Sequence, residues 1–104
     1  MIPNNFSEFD KFVKLLQIMR IPYEMDPHPM MGGRHLWIPE RHSWRISVIL
    51  NDYSYGRDSG LLELWIRRKR DPDGYLGAEQ ACKIICEEMK RKEHDKHLYG
   101  SKPG

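Results

Sequence analysis

The chain has 104 residues, with 17 Lys and Arg against 15 Asp and Glu, and 39% of its side chains are hydrophobic. A chain of that length buries roughly two-thirds of its unfolded surface, which supports one domain with a modest core and excludes a large interior active-site chamber. No apolar run approaches the ~20 residues that cross a bilayer, and "MIPNNFSEFD" is not patterned as a signal peptide, so a cytoplasmic protein without a membrane partner is expected.

The net charge of +2 conceals an asymmetry. Lys90, Arg91, Lys92, Lys96 and Lys102 oppose only Glu93 and Asp95, so residues 90–104 carry +3 while the rest of the chain carries −1. Basic character is local, which argues against a nucleic-acid footprint spread over the whole domain.

In chain order, the first expected element is an amphipathic helix. Phe9, Phe12, Val13, Leu16 and Met19 recur at helical spacing, with Glu8, Lys11, Lys14 and Gln17 between them. Asn5 or Ser7 is suited to cap it, each with an acid three residues on, and Pro22 ends it by disfavouring α conformation at Ile21. Two short extended runs follow, "IPYEM" and "HLWIP", joined through "DPHPMMGG" in a loose hairpin. The strongest β signal lies in "SWRISVILNDY" and "GLLELWIRR". Trp44, Ile46, Val48 and Leu50 alternate with Arg45, Ser47 and Ile49 in the first, and Leu62, Leu64 and Ile66 with Glu63, Trp65 and Arg67 in the second. Asp71-Pro72-Asp73-Gly74 reads as a turn, since aspartate bonds its own backbone and glycine takes positive φ. A last helix starts at Gly77, with Gln80 three residues on and a stripe of Ala78, Ala81, Cys82, Ile85 and Met89. The expected fold is α+β, αββββα: a four-stranded antiparallel sheet with N- and C-terminal helices packed on one face. Residues 1–92 form the single domain and 93–104 a basic, frayed tail.

Two constellations resemble chemistry. "YGRDSGL" at 55–61 holds two glycines and a serine, but no GK[ST] follows and a strand rather than a helix comes next, so no helix N-terminus faces a phosphate. No linked histidine base and acid accompany Ser59 either, which leaves a hairpin loop. Cys82, Cys86, His94 and His97 read C-x3-C-x7-H-x2-H. On a straight helix the outer pair would lie over ~20 Å apart at ~1.5 Å per residue, too far for one tetrahedral metal. Neither a catalytic set, a metal site nor a cofactor is expected, and both cysteines read as reduced thiols.

The informative surface is aromatic and basic. If Leu62, Leu64 and Ile66 face the helices, then Trp65, Arg67, Arg45, Ser47 and Tyr53 face away, with Arg34 and Trp37 joining from the neighbouring hairpin. The expected partner-binding residues are Trp37, Arg45, Trp65 and the run Arg67, Arg68, Lys69 and Arg70. The ordinary reading of the same pattern is a face covered by loops, the tail or a second copy of the chain, and a homodimer fits equally well.

"SVILNDYSYGRDSGLLELW" followed by "GYLGAEQACKIICEEM" resembles a class of small uncharacterised proteins of Firmicutes and their phages. That likeness rests on Ile21 to Glu24, Ser47 to Ile49, Tyr53 to Gly56, Leu61 to Glu63 and Gly74 to Glu79. The chain departs from the class at Gly77, where a capping threonine is usual, and in its basic tail. The resemblance implies a mobile-element origin in a bacterial host cell and brings no known activity or catalytic residue. Small phage proteins without catalytic constellations often bind host machinery. The expected function is therefore a non-enzymatic interaction protein that inhibits a host defence complex such as a CRISPR nuclease. Its partner would be a host protein or ribonucleoprotein complex. The alternative is an RNA or single-stranded DNA binding module that uses the same aromatic and basic face.

Overall fold

The computed structural model describes residues 5–100, with side chains described as far as Arg91. Helix α1 spans Ser7–Ile18 and helix α2 Ala78–Gly100; between them run β1 (Glu24–Met25), β2 (Arg34–Ile38), β3 (Ile46–Leu50), β4 (Leu62–Ile66) and β5 (Asp73–Leu76). The five strands form one open antiparallel sheet in the order β1-β2-β3-β4-β5, so every neighbour in sequence is a neighbour in space.

Five strands correct the expectation of four. Asp, Pro and Gly disfavour strands, and "DPDG" therefore reads locally as a turn. Tertiary pairing overrides this: Leu76 lies opposite Leu62 and Asp73 opposite Leu64. Gly74 and Tyr75 then face Glu63 together, a bulge in which Tyr75 takes φ 58. Gly74 is required by its neighbour, since a Cβ there would lie 2.3 Å from Cβ of Tyr55.

The two helices follow from their sequence. Phe9, Phe12 and Leu16 are fully buried in α1, as their spacing predicts. The helix stops at Ile18, before Pro22 exerts any constraint. Arg20 enters the left-handed region at φ 57, its N–H donates to the Gln17 carbonyl, and that of Ile21 donates to Leu16, so two otherwise orphaned carbonyls are satisfied. At the N-terminus, Phe6 occupies the cap position without a side-chain bond, while Asn5 Oδ1 accepts from the Ser7 N–H at 3.3 Å.

Helix α2 begins at Ala78 after Gly77, whose N–H donates to Gln80 Oε1 at 2.9 Å. The Ala78 N–H donates to Glu8 Oε1 of α1 at 2.8 Å, so one helix caps the other. Ala78, Ala81, Cys82 and Ile85 are buried and Met89 packs half-buried against them. The helical backbone continues to Gly100, past the last expected apolar position. Of the expected frayed tail at 93–104, the backbone of 93–100 belongs to α2, while residues 101–104 and the side chains from residue 92 onward lie outside the described residues.

One core joins these parts. Phe9, Phe12 and Leu16 of α1 and Ala78, Ala81, Cys82 and Ile85 of α2 share it with Leu36, Ile38, Ile46, Val48, Leu50, Leu62, Leu64 and Ile66 of the sheet. The strand residues are all of one parity, so the core uses one sheet face and leaves the other outside it. "YGRDSGL" joins β3 to β4 as a hairpin loop. Arg57–Ser59 form a single 3-10 turn between Gly56 (φ 101) and Gly60 (φ 66), and the N–H of Leu61 donates back to Gly56.

Candidate functional site on the outer sheet face

Antiparallel register lines up four residues across the face away from the core: Glu24, Trp37, Ser47 and Trp65, one from each of β1 to β4. A second row, two residues along, holds His35, Ile49 and Glu63. Neighbouring strands are about 4.8 Å apart, so Trp37 and Trp65 stand roughly 10 Å apart with the short Ser47 between them.

The two tryptophans differ in environment. Trp65 is 42% exposed, and its indole N–H donates to the Lys69 carbonyl at 3.0 Å, which ties the ring to the turn after β4. Trp37 is only 8% exposed. The His35 ring lies 4.3 Å from it and the Arg41 guanidinium 5.0 Å from its ring centre. Trp37 thus has the expected parity but leaves little of its ring exposed.

Trp44 was expected in the core alternation with Ile46. Strand β3 begins only at Ile46, and Trp44 instead meets Trp65 edge to face at 6.2 Å. Arg67 completes this group, with its guanidinium 4.8 Å from the Trp44 ring centre and Nη1 donating to the Trp44 carbonyl at 3.1 Å. Arg45 sits between strands: its N–H donates to Ile38 and its carbonyl accepts from Arg67. Arg41, Arg45 and Arg67 therefore gather at one end of the sheet, where β2 ends, β3 begins and β4 ends. Among the described residues none of the three forms an ion pair.

The run at 67–70 divides between two sides. Arg68 makes a two-bond pair with Glu88 of α2, at 3.1 Å from Nε and 2.7 Å from Nη2. Glu88 is buried, and the Arg68 hydrogen bonds hold its carboxyl below the usual range; burial opposes this, while the charges of Arg68, Arg91 and Lys69 assist it. Arg68 and Lys69 also line a cleft of about 240 Å³ with Ile66, Asp73, Ile84, Glu87, Glu88 and Arg91. Arg68 is therefore a structural partner of the helix and not part of the outer face, and Lys69 lies toward the same side. Arg70 is exposed. Arg34 also departs from expectation: it pairs with Leu50 on the core-side parity and covers the Phe6 ring at 4.1 Å.

At the bulge the surface is aromatic. Tyr55 and Tyr75 are exposed and adjacent, with the Tyr75 N–H donating to the Tyr55 carbonyl at 3.3 Å and the Tyr55 N–H to Glu63 Oε1 at 2.8 Å. Between the ends, His35 Nε2 is 2.8 Å from Ser47 Oγ. Burial lowers the His35 pKa, a shift that Asp26 opposes and Arg41 reinforces. On the other side, burial first and the neighbouring Cys86 second push the Cys82 thiol up to about 11.

Sequence reasoning missed Arg41 and Trp44. A signal existed in "PERHSWR", where a proline-started loop must return the chain between two strands and so bring its own side chains to the sheet end. Among the described residues no group of three or more His, Cys, Asp or Glu could hold a metal ion, and His94 and His97 lie outside that set. No described helix is long and apolar enough to cross a membrane. Compared with known proteins, the chain matches no family model, no curated protein and no solved structure.

Proposed function

We propose that the chain is a non-enzymatic binding protein that engages a host macromolecular complex through the outer face of β3 and β4. The observation that carries this reading is the exposed Trp65, braced by Trp44 and Arg67 on the sheet face that the core does not use. Tryptophan and arginine supply most of the binding energy where macromolecules meet, because they combine large desolvated area with directional polar contacts. Arg45 and Arg67 contribute the directional part and Trp65 the area. The resemblance to small phage proteins supports a host defence complex, such as a CRISPR ribonucleoprotein nuclease, as the first partner to test.

The test is capture of partners from host-cell lysate by tagged protein, with and without nuclease treatment. Wild type is compared with Trp65→Ala and Arg67→Ala, each verified as folded by circular dichroism. Retention of one complex by wild type and its loss from both variants supports the reading. Identical capture by all three proteins refutes it.

A further inference from the structure

The arrangement of charges on the outer face narrows the chemistry it recognises. Three arginines are attached to the backbone at one sheet end. Arg41 arrives in the loop after β2, Arg45 stands immediately before β3 and Arg67 immediately after β4; backbone bonds from Arg45 to Ile38 and from Arg67 to Arg45 hold the attachment points side by side. None is neutralised by an ion pair among the described residues, and the carboxylate in the row, Glu24, accepts the backbone N–H of Arg41 at 3.0 Å. Arg41 and Arg67 are already ordered over indole rings, at 5.0 and 4.8 Å from the ring centres, so little side-chain freedom remains to be lost when they bind. Beside them the half-open ring of Trp65 presents an aromatic surface.

We infer that this sheet end binds single-stranded nucleic acid, with backbone phosphates at Arg41, Arg45 and Arg67 and an unpaired base stacked on Trp65. The inference rests on the outer face being the partner-binding site. An unpaired strand offers what this surface complements: anionic oxygens spaced along a chain and flat bases free to stack. A duplex hides its base faces, and an acidic peptide supplies charge without a ring for Trp65. Uncompensated arginines with an adjacent open indole therefore favour a single strand over either. The recognition chemistry is common to RNA and DNA.

The experiment is fluorescence anisotropy of labelled oligo(U) and oligo(dT) of about 12 nucleotides, within the site sizes of small single-strand binders. A matching duplex and poly-glutamate serve as competitors. Both strands are expected to bind at about 50 mM salt, and three phosphate contacts predict a loss of about 20-fold on going to about 200 mM. Trp65→Leu, which keeps apolar bulk without a stacking face, is expected to weaken binding about tenfold, and Trp65→Phe to restore much of it. Arg45→Glu alters an exposed side chain with no side-chain bond among the described residues, and it should both weaken binding and reduce the salt dependence. It also keeps the test independent of how the Trp65 variants pack. A preference for oligo(U) assigns the site to RNA, for oligo(dT) to DNA, and either supports the inference.

Absence of binding at low salt, equal affinity for duplex, or competition by poly-glutamate as effective as by strand would overturn it. If no strand binds but a nuclease-resistant protein is captured from lysate in a Trp65-dependent way, the face remains a partner site and the nucleic-acid assignment alone fails. If neither occurs, both fail.

Discussion

Removing Arg68 should destabilise the fold far more than its place in a surface basic run suggests. The side chain of Glu88 is 7% exposed and that of Arg68 is 43% exposed, with two hydrogen bonds between them. Breaking a buried pair from one side costs about 3–5 kcal/mol, because the remaining charge is stranded. An exposed pair contributes about 0–1 kcal/mol. This pair is buried at one end only, and Lys69 and Arg91 remain to soften the loss. The expected cost of Arg68→Ala is therefore about 2 kcal/mol, between those limits. With a urea slope of about 1.5 kcal/mol/M, the unfolding midpoint should fall by a little over about 1 M.

Acid provides the discriminating arm. Glu88 is held below its ordinary value of 4.5 in the folded chain, so the stabilisation it provides is complete above that value and disappears as pH falls through the lower folded-state one. The difference between wild type and Arg68→Ala should stay constant from about pH 7 to about pH 5 and shrink below that. Arg68→Ala and Glu88→Ala should also be non-additive in a double-mutant cycle. A cost under about 0.5 kcal/mol, additivity of the two changes, or a difference that grows in acid would refute the reasoning.

Other substitutions test other joints. Glu8→Ala removes the acceptor for the first N–H of α2 and should cost about 1 kcal/mol, with Glu8→Gln losing less; thermal melts of the three proteins decide this. Gly74→Ala drives a methyl into Tyr55 and should cost about 1–3 kcal/mol, whereas alanine at Gly32, where a Cβ meets nothing within 4 Å, carries only the left-handed backbone penalty. Because burial keeps His35 neutral, stability should decline as pH falls below its ordinary 6.5, and His35→Gln should flatten that part of the profile measured by urea unfolding. In thiol modification at about pH 8 the half-buried Cys86 should react first and Cys82 only on unfolding, since burial and a raised pKa both withhold its thiolate.

Local periodicity made the two helices, β2, β3, β4 and the core stripe legible, because side-chain spacing in helices and strands is a property of the backbone itself. Phe9, Phe12, Leu16, Ile46, Val48, Leu62, Leu64 and Ile85 all lie where that spacing puts them. The outward parity of Trp65 was legible for the same reason. Other features depended on residues distant in sequence. Strand β5 exists because Leu62 and Leu64 supply the partners that "DPDG" does not announce. Trp37 is covered because Arg41 and His35 fold over it, Trp44 leaves the core because β3 starts two residues later, and Arg68 turns to the helix because Glu88 is there to receive it. Sequence sets which side of an element a residue occupies, through bond geometry acting over a few positions. Only tertiary packing decides which of those residues meet and which stay open, since that depends on charges and rings carried in by other segments.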